Sequence, residues 1–241
     1  MRLYIIRHAD PDYSNDTITE RGHREARALA ERMCRVRLDH LYVSPMGRAQ
    51  ATAGYIAQAK GMTPVTLDWT RERGDWQIEQ PYQGRTQRMC IWDVHGHRVR
   101  GNAHLPGHDD WHEHEPFNTP VVQRGYAKIV AESDALLAHH GYVRDGHLYR
   151  AQRPNREALA VVCHGGFGLT WLAHLLAVPL PLMYAGFFLP PASVTTVLFD
   201  EREGGAAGEA GVAVPRCIAM GLTAHEPEPG HVPIGIKANY E

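Results

Sequence analysis

Cysteine is scarce in this sequence, and its spacing excludes two kinds of site. The 241 residues include only four cysteines, which are Cys34, Cys90, Cys163 and Cys217. They form no CxxC pair and match no spacing of zinc ligands. We therefore expect isolated, mostly reduced thiols in a cytoplasmic protein.

Long apolar runs and an excess of one charge are missing as well. No stretch approaches the ~20 apolar residues of a membrane-spanning helix. Met1 and Arg2 lead directly into a strand, without the basic and apolar regions of a signal peptide. The formal net charge of −2 gives no electrostatic reason to expect nucleic acid or an anionic membrane as the main partner. The length suffices for one domain, or for one domain with an insert.

What the sequence does contain is a set of short apolar runs that end at charged or titratable residues. Four runs are predicted as strands, over residues 3–6, 38–43, 65–67 and 158–163. Arg7 and His8 follow the first run, a helix with Arg48 in its first turn follows the second, and His164 follows the most apolar one. Ligands of open α/β sheets bind outside the carboxyl ends of the strands. We therefore expect these four side chains to meet, although each one alone also fits a solvated strand end or a surface arginine.

The remaining segments complete the predicted organisation. Helices are indicated over residues 19–35, with Thr19 as the N-cap, and over residues 45–59, 120–140 and 167–176. Residues 83–94 could hold a helix, residues 142–150 indicate a hairpin, and late strands are expected over residues 194–199 and 217–220. We expect a single domain over residues 1–222, a lid insertion at about residues 73–118, and an extended tail over residues 223–241.

Two arginines and two histidines at one sheet edge would form a cationic pocket for a phosphate dianion. Guanidinium groups match phosphate oxygens in bidentate fashion. A neutral imidazole is a competent nucleophile, and neighbouring arginines should lower the pKa of His8 so that it stays unprotonated at neutral pH. His164 would donate a hydrogen bond to a phosphate oxygen. A proton donor for the leaving alkoxide is still needed, and Glu72 is the nearest acid after the third strand.

Arg48 is unusual because its predicted place is the N-terminus of a helix. That end of a helix favours anions through its free N–H groups and its dipole. A cation there opposes the dipole unless an anion is also present. This conflict is a reason to expect Arg48 to bind an anionic ligand.

Taken together, these motifs resemble the histidine phosphatase superfamily, the phosphoglycerate-mutase-like group. The residues that carry the resemblance occur in the family's order: Arg7-His8, Ser44-Pro45 with Arg48, Arg71-Glu72 and His164-Gly165-Gly166. The resemblance implies an α/β fold, a three-layer α/β/α sandwich with a mostly parallel central sheet. It also implies phosphoryl transfer through a phosphohistidine without a metal or another cofactor. By position, His8 resembles the nucleophile, Glu72 the general acid, and Arg7, Arg48 and His164 the phosphate-binding residues.

Several positions depart from the family pattern. Ala9 replaces the signature glycine, and Asn15 is offset by one residue from a conserved phosphate contact of the family. The segment from Glu72 to Trp76 is about two residues shorter than in the mutase-like members, so Glu79 remains an alternative for the acid. The longer set of substrate contacts found in mutases has no counterpart here, which favours hydrolysis.

Three hypotheses about function follow. The first is a phosphomonoesterase that acts on a small phosphorylated metabolite; the second is a phosphoglycerate mutase; the third is a non-catalytic protein that binds a phosphorylated ligand. We expect no nucleic-acid or membrane partner. The sequence leaves open which substrate is used and whether the chain forms a homo-oligomer.

Histidine is concentrated in the predicted lid. Six of the 16 histidines lie between His95 and His114. Imidazoles and carboxylates in this segment could ligate a metal, but no helix is predicted there to fix them, and a solvated lid is the preferred interpretation. The charge of these side chains should change between about pH 6 and 7.

Overall fold

The computed structural model describes residues 1–82, 84–201 and 211–223. Its strands are β1 (Arg2–Arg7), β2 (Pro11–Asp12), β3 (Thr17–Ile18), β4 (His40–Val43), β5 (Val65–Thr66), β6 (Gln77–Tyr82), β7 (Arg85–Cys90), β8 (Tyr142–Asp145), β9 (Leu148–Ala151), β10 (Ala158–Cys163), β11 (Val194–Asp200) and β12 (Gly211–Leu222). Its α-helices are α1 (Glu20–Cys34), α2 (Gly47–Lys60), α3 (Gly96–Arg100), α4 (Pro120–His139), α5 (Gly165–Leu176) and α6 (Leu180–Gly186).

Eight strands form one sheet, in the order β5-β4-β10-β1-β11-β12-β9-β8. β5, β4, β10 and β1 pair in parallel. All pairings from β1 onward through β11, β12, β9 and β8 are antiparallel. The predicted α/β class is confirmed, with the correction that the sheet is mixed and that parallel pairing is confined to the half that carries the predicted site residues.

Both faces of the sheet are covered by helices, and the buried side chains of its central strands alternate between the two faces. Leu3 and Ile5 of β1 pack with α4, α5 and α6, whereas Tyr4 and Ile6 pack with α1 and α2. β10 divides its buried side chains between the same two faces. Side chains of successive strand residues point to opposite faces, so this pattern gives the three layers of the predicted sandwich.

Helix α1 begins as predicted. The Thr19 hydroxyl accepts a hydrogen bond from the Gly22 amide at 3.0 Å and so serves as the N-cap. The same hydroxyl donates to the Asp10 carboxylate at 2.6 Å. Through Thr19, the start of α1 is therefore tied to the turn that follows His8.

The helix considered for residues 83–94 is not formed. That stretch instead contains β7, which pairs with β6 in an antiparallel hairpin, and a 3₁₀ turn over Ile91–Asp93. Gly84 adopts a φ of +75° in the connecting turn, a conformation that suits glycine and ends helical winding. The hairpin packs against the rest of the protein mainly through β6. Ile78 and Gln80 of this strand are buried, whereas most of β7 is exposed.

The histidine-rich stretch was predicted to be a loop, and it contains one short helix. α3 and a 3₁₀ turn over Trp111–Glu113 are its regular elements. Val99 and Trp111 are buried in the core, and the Trp111 ring meets the Tyr126 ring of α4 at 4.8 Å. The segment is therefore packed onto the α4–α6 face by apolar anchors.

Two further expectations concern the rest of the chain. The tail from residue 224 onward lies outside the described residues, as does the glycine-rich stretch of residues 202–210. Among the helices described, none combines the length and the apolar character needed to cross a bilayer.

Candidate active site

Three neighbouring parallel strands bring the predicted residues to one sheet edge. Ile6 of β1 and Val43 of β4 are both in register with Val162 of β10. Continued past the strands, this register places His164 beside His8, and Ser44 lies one step earlier, level with Cys163 and Arg7. The His8 and His164 rings lie 5.2 Å apart, edge to face.

The hydrogen bonds of His8 define its tautomer. Its Nδ1 lies 2.8 Å from the Ala9 carbonyl oxygen, which can only accept, so Nδ1 carries the proton. Its Nε2 lies 3.2 Å from the Arg48 Nε–H, which can only donate. Nε2 therefore carries no proton, and its lone pair accepts the hydrogen bond from Arg48. A phosphate bound by Arg48 would release this lone pair for attack on phosphorus.

The surroundings of His8 favour its neutral form. The side chain is 1% exposed. Burial, followed by the charge of Arg7 and then that of Arg48, holds the pKa of His8 well below its usual value of 6.5. His8 is therefore unprotonated at neutral pH.

His164 is oriented by a hydroxyl group. Its Nε2 lies 2.7 Å from the Ser44 Oγ, which also accepts a 3.4 Å hydrogen bond from the Met46 amide. When the serine donates its proton to His164 Nε2, the ring proton lies on Nδ1. That Nδ1 is buried without a hydrogen-bond partner among the described residues. A buried unpaired donor at a polar pocket suits an anionic ligand.

Glu72 lies beside His164. One of its carboxylate oxygens is 3.9 Å from His164 Nδ1, and the other accepts a 2.8 Å hydrogen bond from the Phe167 amide in the first turn of α5. Its side chain is only 14% exposed. Burial raises the pKa of Glu72 to about 7, against the opposing effects of the Phe167 N–H, Arg7 and Arg48, and the nearby charge of Asp93 adds to the rise. A carboxyl group with such a pKa can donate and accept a proton near neutrality.

Arg7 is anchored by the segment that precedes β11. Its Nη1 donates to the Leu189 carbonyl at 2.5 Å, and its guanidinium carbon lies 5.4 Å from the centre of the Phe188 ring. The Nε–H is buried and has no partner within the described part of the chain. Gly165 allows this arrangement, since a Cβ there would lie 3.2 Å from Arg7 Nε. Arg7 therefore offers an unused N–H beside the N-terminus of α5.

The chain itself supplies an anion beside Arg48 at the N-terminus of α2. Asp16 accepts a 2.8 Å hydrogen bond from the Gly47 amide at the start of α2 and a 2.7 Å bond from Arg48 Nη1. The carboxylate thus provides an anion at this helix N-terminus, and it holds Arg48 toward His8. A Cβ at Gly47 would lie 2.1 Å from the Asp16 carbonyl oxygen, so only glycine permits this close approach.

Asn15 and Glu79, the two less certain candidates of the sequence analysis, are both exposed. The side chain of Asn15 is exposed, and its amide donates to Asp12 at 2.7 Å. Glu79 is exposed on the β6–β7 hairpin, where its carbonyl oxygen accepts a hydrogen bond from Arg98. Glu72 therefore fits the position of a general acid better than Glu79 does.

Several side chains of the histidine-rich segment contact one another or the β8–β9 hairpin. His108 lies 3.0 Å from Asp109, and its ring meets that of His147, in the β8–β9 turn, at 4.6 Å. His114 lies 3.8 Å from Asp110. These contacts join residues within the segment to one another and join the segment to the β8–β9 hairpin.

Sequence reasoning assigned no role to Ser44 or Asp16. Ser44 occupies the same strand-end position as His8 and His164, which is a signal that could have identified it. Asp16 has no comparable signal, because its contacts with Gly47 and Arg48 depend on how the turn after β1 folds back over α2. The φ of Asp16 is +47°, and nothing in the sequence marks this conformation.

Comparisons with known proteins agree with this geometry. A sequence profile of the histidine phosphatase superfamily (branch 1) matches residues 3–207. Phosphoserine phosphatase 1 of Hydrogenobacter thermophilus is 27% identical over 113 residues, which cover 41% of this chain and 54% of that protein. A probable phosphoglycerate mutase GpmB of Yersinia pestis is 33% identical over 157 residues, covering 58% of this chain and 70% of that protein.

Solved structures share the fold at low sequence identity. A phosphoserine phosphatase of Entamoeba histolytica, solved with phosphoserine, is 18% identical, with a TM-score of 0.57 and coverage of 93% of this chain and 98% of that one. A mycobacterial glucosyl-3-phosphoglycerate phosphatase is 18% identical, with a TM-score of 0.56 and coverage of 91% and 98%. At this identity, the likeness is evidence for the fold.

Proposed function

Because this chain belongs to the histidine phosphatase superfamily, we propose that it is a phosphomonoesterase that uses a phosphohistidine on His8 and needs no metal. Its substrate class is a small phosphorylated metabolite. Relatives are named for phosphoserine and for glucosyl-3-phosphoglycerate, and esters of this size are the substrates to test first. The proposed organisation is one domain over residues 1–222 with residues 73–118 as the lid.

The first half of the reaction transfers the phosphoryl group to the enzyme. His8 Nε2 forms a bond to phosphorus while the bond from phosphorus to the ester oxygen breaks. Arg7, Arg48 and His164 neutralise the charge on the other phosphate oxygens. Protonated Glu72 gives its proton to the leaving alkoxide, which departs as an alcohol.

The second half returns the enzyme to its starting state. Glu72, now a carboxylate, accepts a proton from a water molecule that attacks the phosphohistidine. The bond between nitrogen and phosphorus breaks, and the imidazole recovers its Nε2 lone pair as inorganic phosphate leaves. Each group ends in the protonation state in which it began.

The hydrogen bonding of His8 is the single observation that carries this proposal. Nδ1 bonded to the Ala9 carbonyl and Nε2 directed at Arg48 make His8 a neutral imidazole with its lone pair facing the proposed phosphate site.

A rapid-quench experiment tests the proposal directly. The enzyme is mixed with p-nitrophenyl phosphate in the presence of EDTA, quenched with base, and mapped by mass spectrometry. We expect steady release of phosphate and an acid-labile phosphoryl group on His8. Label on another residue, or turnover abolished by EDTA, would contradict the mechanism, and tight phosphate binding without turnover of any ester would favour a non-catalytic binding protein.

Mutase activity is a second candidate, supported by the similarity to GpmB. The two reactions share the phosphohistidine and differ in its acceptor, which is water in a phosphatase and a second hydroxyl group in a mutase. Incubation with 3-phosphoglycerate distinguishes them. Release of inorganic phosphate supports the phosphatase, whereas isomerisation without phosphate release identifies a mutase.

A further inference from the structure

A second pair of histidines lies at the other end of the strands that build the pocket. His40 is the first residue of β4, Glu157 directly precedes β10, and His140 follows the last turn of α4. Ser44 and His164 stand at the opposite ends of the same two strands. Over the length of β4, the two ends are about 13 Å apart.

We propose that His40, His140 and Glu157 form a binding site for a zinc-class divalent metal ion, distinct from the phosphate pocket. The His140 Nδ1 is 2.6 Å and the His40 Nε2 is 3.7 Å from the same carboxylate oxygen, Glu157 Oε2. All three ligand atoms lie within 4.8 Å of one another. Two imidazoles with one carboxylate are a ligand set that suits zinc, whereas magnesium and calcium prefer oxygen ligands.

The two distances to the shared carboxylate oxygen are close to those of a tetrahedral site. Bonds of about 2.0–2.1 Å to zinc place neighbouring ligand atoms roughly 3.3 Å apart. The contact of His140 with Glu157 would have to widen, and that of His40 with Glu157 to shorten, each by less than ~1 Å. His40 and Glu157 are partly exposed, with side chains 40% and 30% accessible, so they can make these movements. Water can occupy the fourth position from the open side.

The ligands are carried by backbone segments that are bonded to one another. The Asn155 side chain donates to the His140 carbonyl at 2.8 Å and accepts from the Glu157 amide at 2.9 Å. Asp39, next to His40, accepts from the Ala158 amide through its carboxylate at 2.9 Å and donates its own amide to the Ala158 carbonyl at 2.8 Å. Two polar residues thus fix the three segments that carry the ligands, as expected of a preorganised site.

The buried ligand also has an outer-shell partner. His140 Nε2 lies 2.8 Å from the Tyr42 hydroxyl, the kind of contact that orients metal-binding histidines. Without metal, Nδ1 holds the proton and donates it to Glu157, and Tyr42 donates to Nε2. With metal on Nδ1, the proton moves to Nε2 and the tyrosine oxygen accepts it. The exchange needs no change in the net protonation of His140.

Zinc titration of the untagged full-length protein, stripped with EDTA, tests the site. Calorimetry and thermal unfolding at neutral pH should show one bound zinc and a rise in Tm, since a ligand that binds only the folded state stabilises it. Cobalt should give the visible spectrum of a four-coordinate ion, and magnesium should give neither binding nor stabilisation. No zinc binding, or no rise in Tm, would overturn the proposal.

Two variants test whether zinc binding depends on the proposed ligands. His40→Ala, at the surface, should weaken zinc binding at least about tenfold and abolish the rise in Tm. Glu157→Gln keeps an acceptor for His140 and should also lose zinc. The matched control is His108→Ala, which removes the exposed cluster with Asp109 and His147 and should bind zinc like the wild type. Binding lost in His108→Ala, or retained in His40→Ala, would place the metal elsewhere.

Discussion

The two ends of β4 and β10 carry the same kinds of side chain and differ in what surrounds them. At the carboxyl ends, His164 contacts a serine hydroxyl through Nε2 and faces Glu72 through Nδ1, with His8 as the second imidazole. At the amino ends, His140 contacts the Tyr42 hydroxyl through Nε2 and Glu157 through Nδ1. His40 is the second imidazole there, with its ring 4.7 Å from that of His140.

The surrounding charge decides which ligand each end can hold. Burial is the main cause that lowers the pKa of both histidines at the carboxyl end, and the charges of Arg7 and Arg48 add to it. There the glutamate stands 3.9 Å from the imidazole, which leaves the Nδ1–H free for an anion. At the amino end the carboxylate is at hydrogen-bond distance from His140 and 3.7 Å from His40, an arrangement that favours a cation. The same residue types therefore produce opposite preferences.

Removing the second imidazole at each end is the strongest test of this contrast. His8→Ala removes the proposed nucleophile and should lower kcat for p-nitrophenyl phosphate by roughly 10⁴-fold or more. His40→Ala should leave kcat within about twofold, since the residue lies at the far end of the strands. Steady-state assays of both purified variants decide the matter. Retained activity in His8→Ala would exclude His8 as the nucleophile.

The two candidate acids give the next largest difference. Glu72→Gln removes the proton donor and should reduce kcat for alkyl phosphates by about 10²–10⁴-fold. The loss should be much smaller for p-nitrophenyl phosphate, because its leaving group departs without protonation. Glu79→Gln, on the exposed hairpin, is the matched control and should be unaffected. The reverse pattern would assign the acid to Glu79.

The pH profile of kcat should reflect the two shifted groups. Glu72 must be protonated to act as an acid, and its pKa is raised to about 7, so kcat should fall roughly tenfold per pH unit above that value. His8 must be neutral, and its lowered pKa places the acidic decline well below pH 6.5. Glu72→Gln should flatten the alkaline side of the profile. An alkaline decline that persists in this variant would belong to another group.

Removing the hydroxyl group that contacts each histidine, Ser44 at one end and Tyr42 at the other, should have smaller effects. Ser44→Ala frees His164 Nε2 and lets its proton move to the wrong nitrogen, which should lower kcat by about 10- to 100-fold, as for partners that orient other functional histidines. Tyr42→Phe should leave kcat unchanged and reduce the free energy of unfolding by about 1 kcal/mol. Kinetics and urea denaturation of both variants measure this. Equal kinetic effects would mean that the two ends are coupled.

Asp16 should give the smallest change. Asp16→Asn keeps an acceptor for Gly47 but removes a negative charge beside Arg48, so inorganic phosphate should inhibit more strongly. The effect should not exceed about fivefold, because the Asp16 side of the pair is exposed to solvent. Asp12→Asn, in the same turn, also removes one negative charge and keeps the acceptor for the Ser14 and Asn15 amides, so it is the control. Weaker inhibition in Asp16→Asn would show instead that Asp16 is needed to position Arg48.

Prediction from sequence succeeded where one local rule governed the outcome. The apolar run of residues 158–163 is the strand β10, and Thr19 caps α1 as expected. The helix considered for residues 83–94 was wrong. This stretch has few apolar residues, and with a turn at Gly84 it forms one strand of a hairpin. A hairpin with one largely exposed strand has little apolar periodicity, so its pattern does not separate it from a short helix.

The sequence by itself determined the strands, the residues at their ends and hence the edge at which Arg7, His8, Arg48 and His164 meet, because strand pairing brings consecutive carboxyl ends together. Only the tertiary structure decided the states of these groups. The pKa of Glu72 depends on burial by segments distant in sequence, and the tautomers of His8 and His164 depend on the Ala9 carbonyl and the Ser44 hydroxyl. Desolvation and hydrogen bonding are properties of a packed environment, so no pattern of residues along the chain contains them.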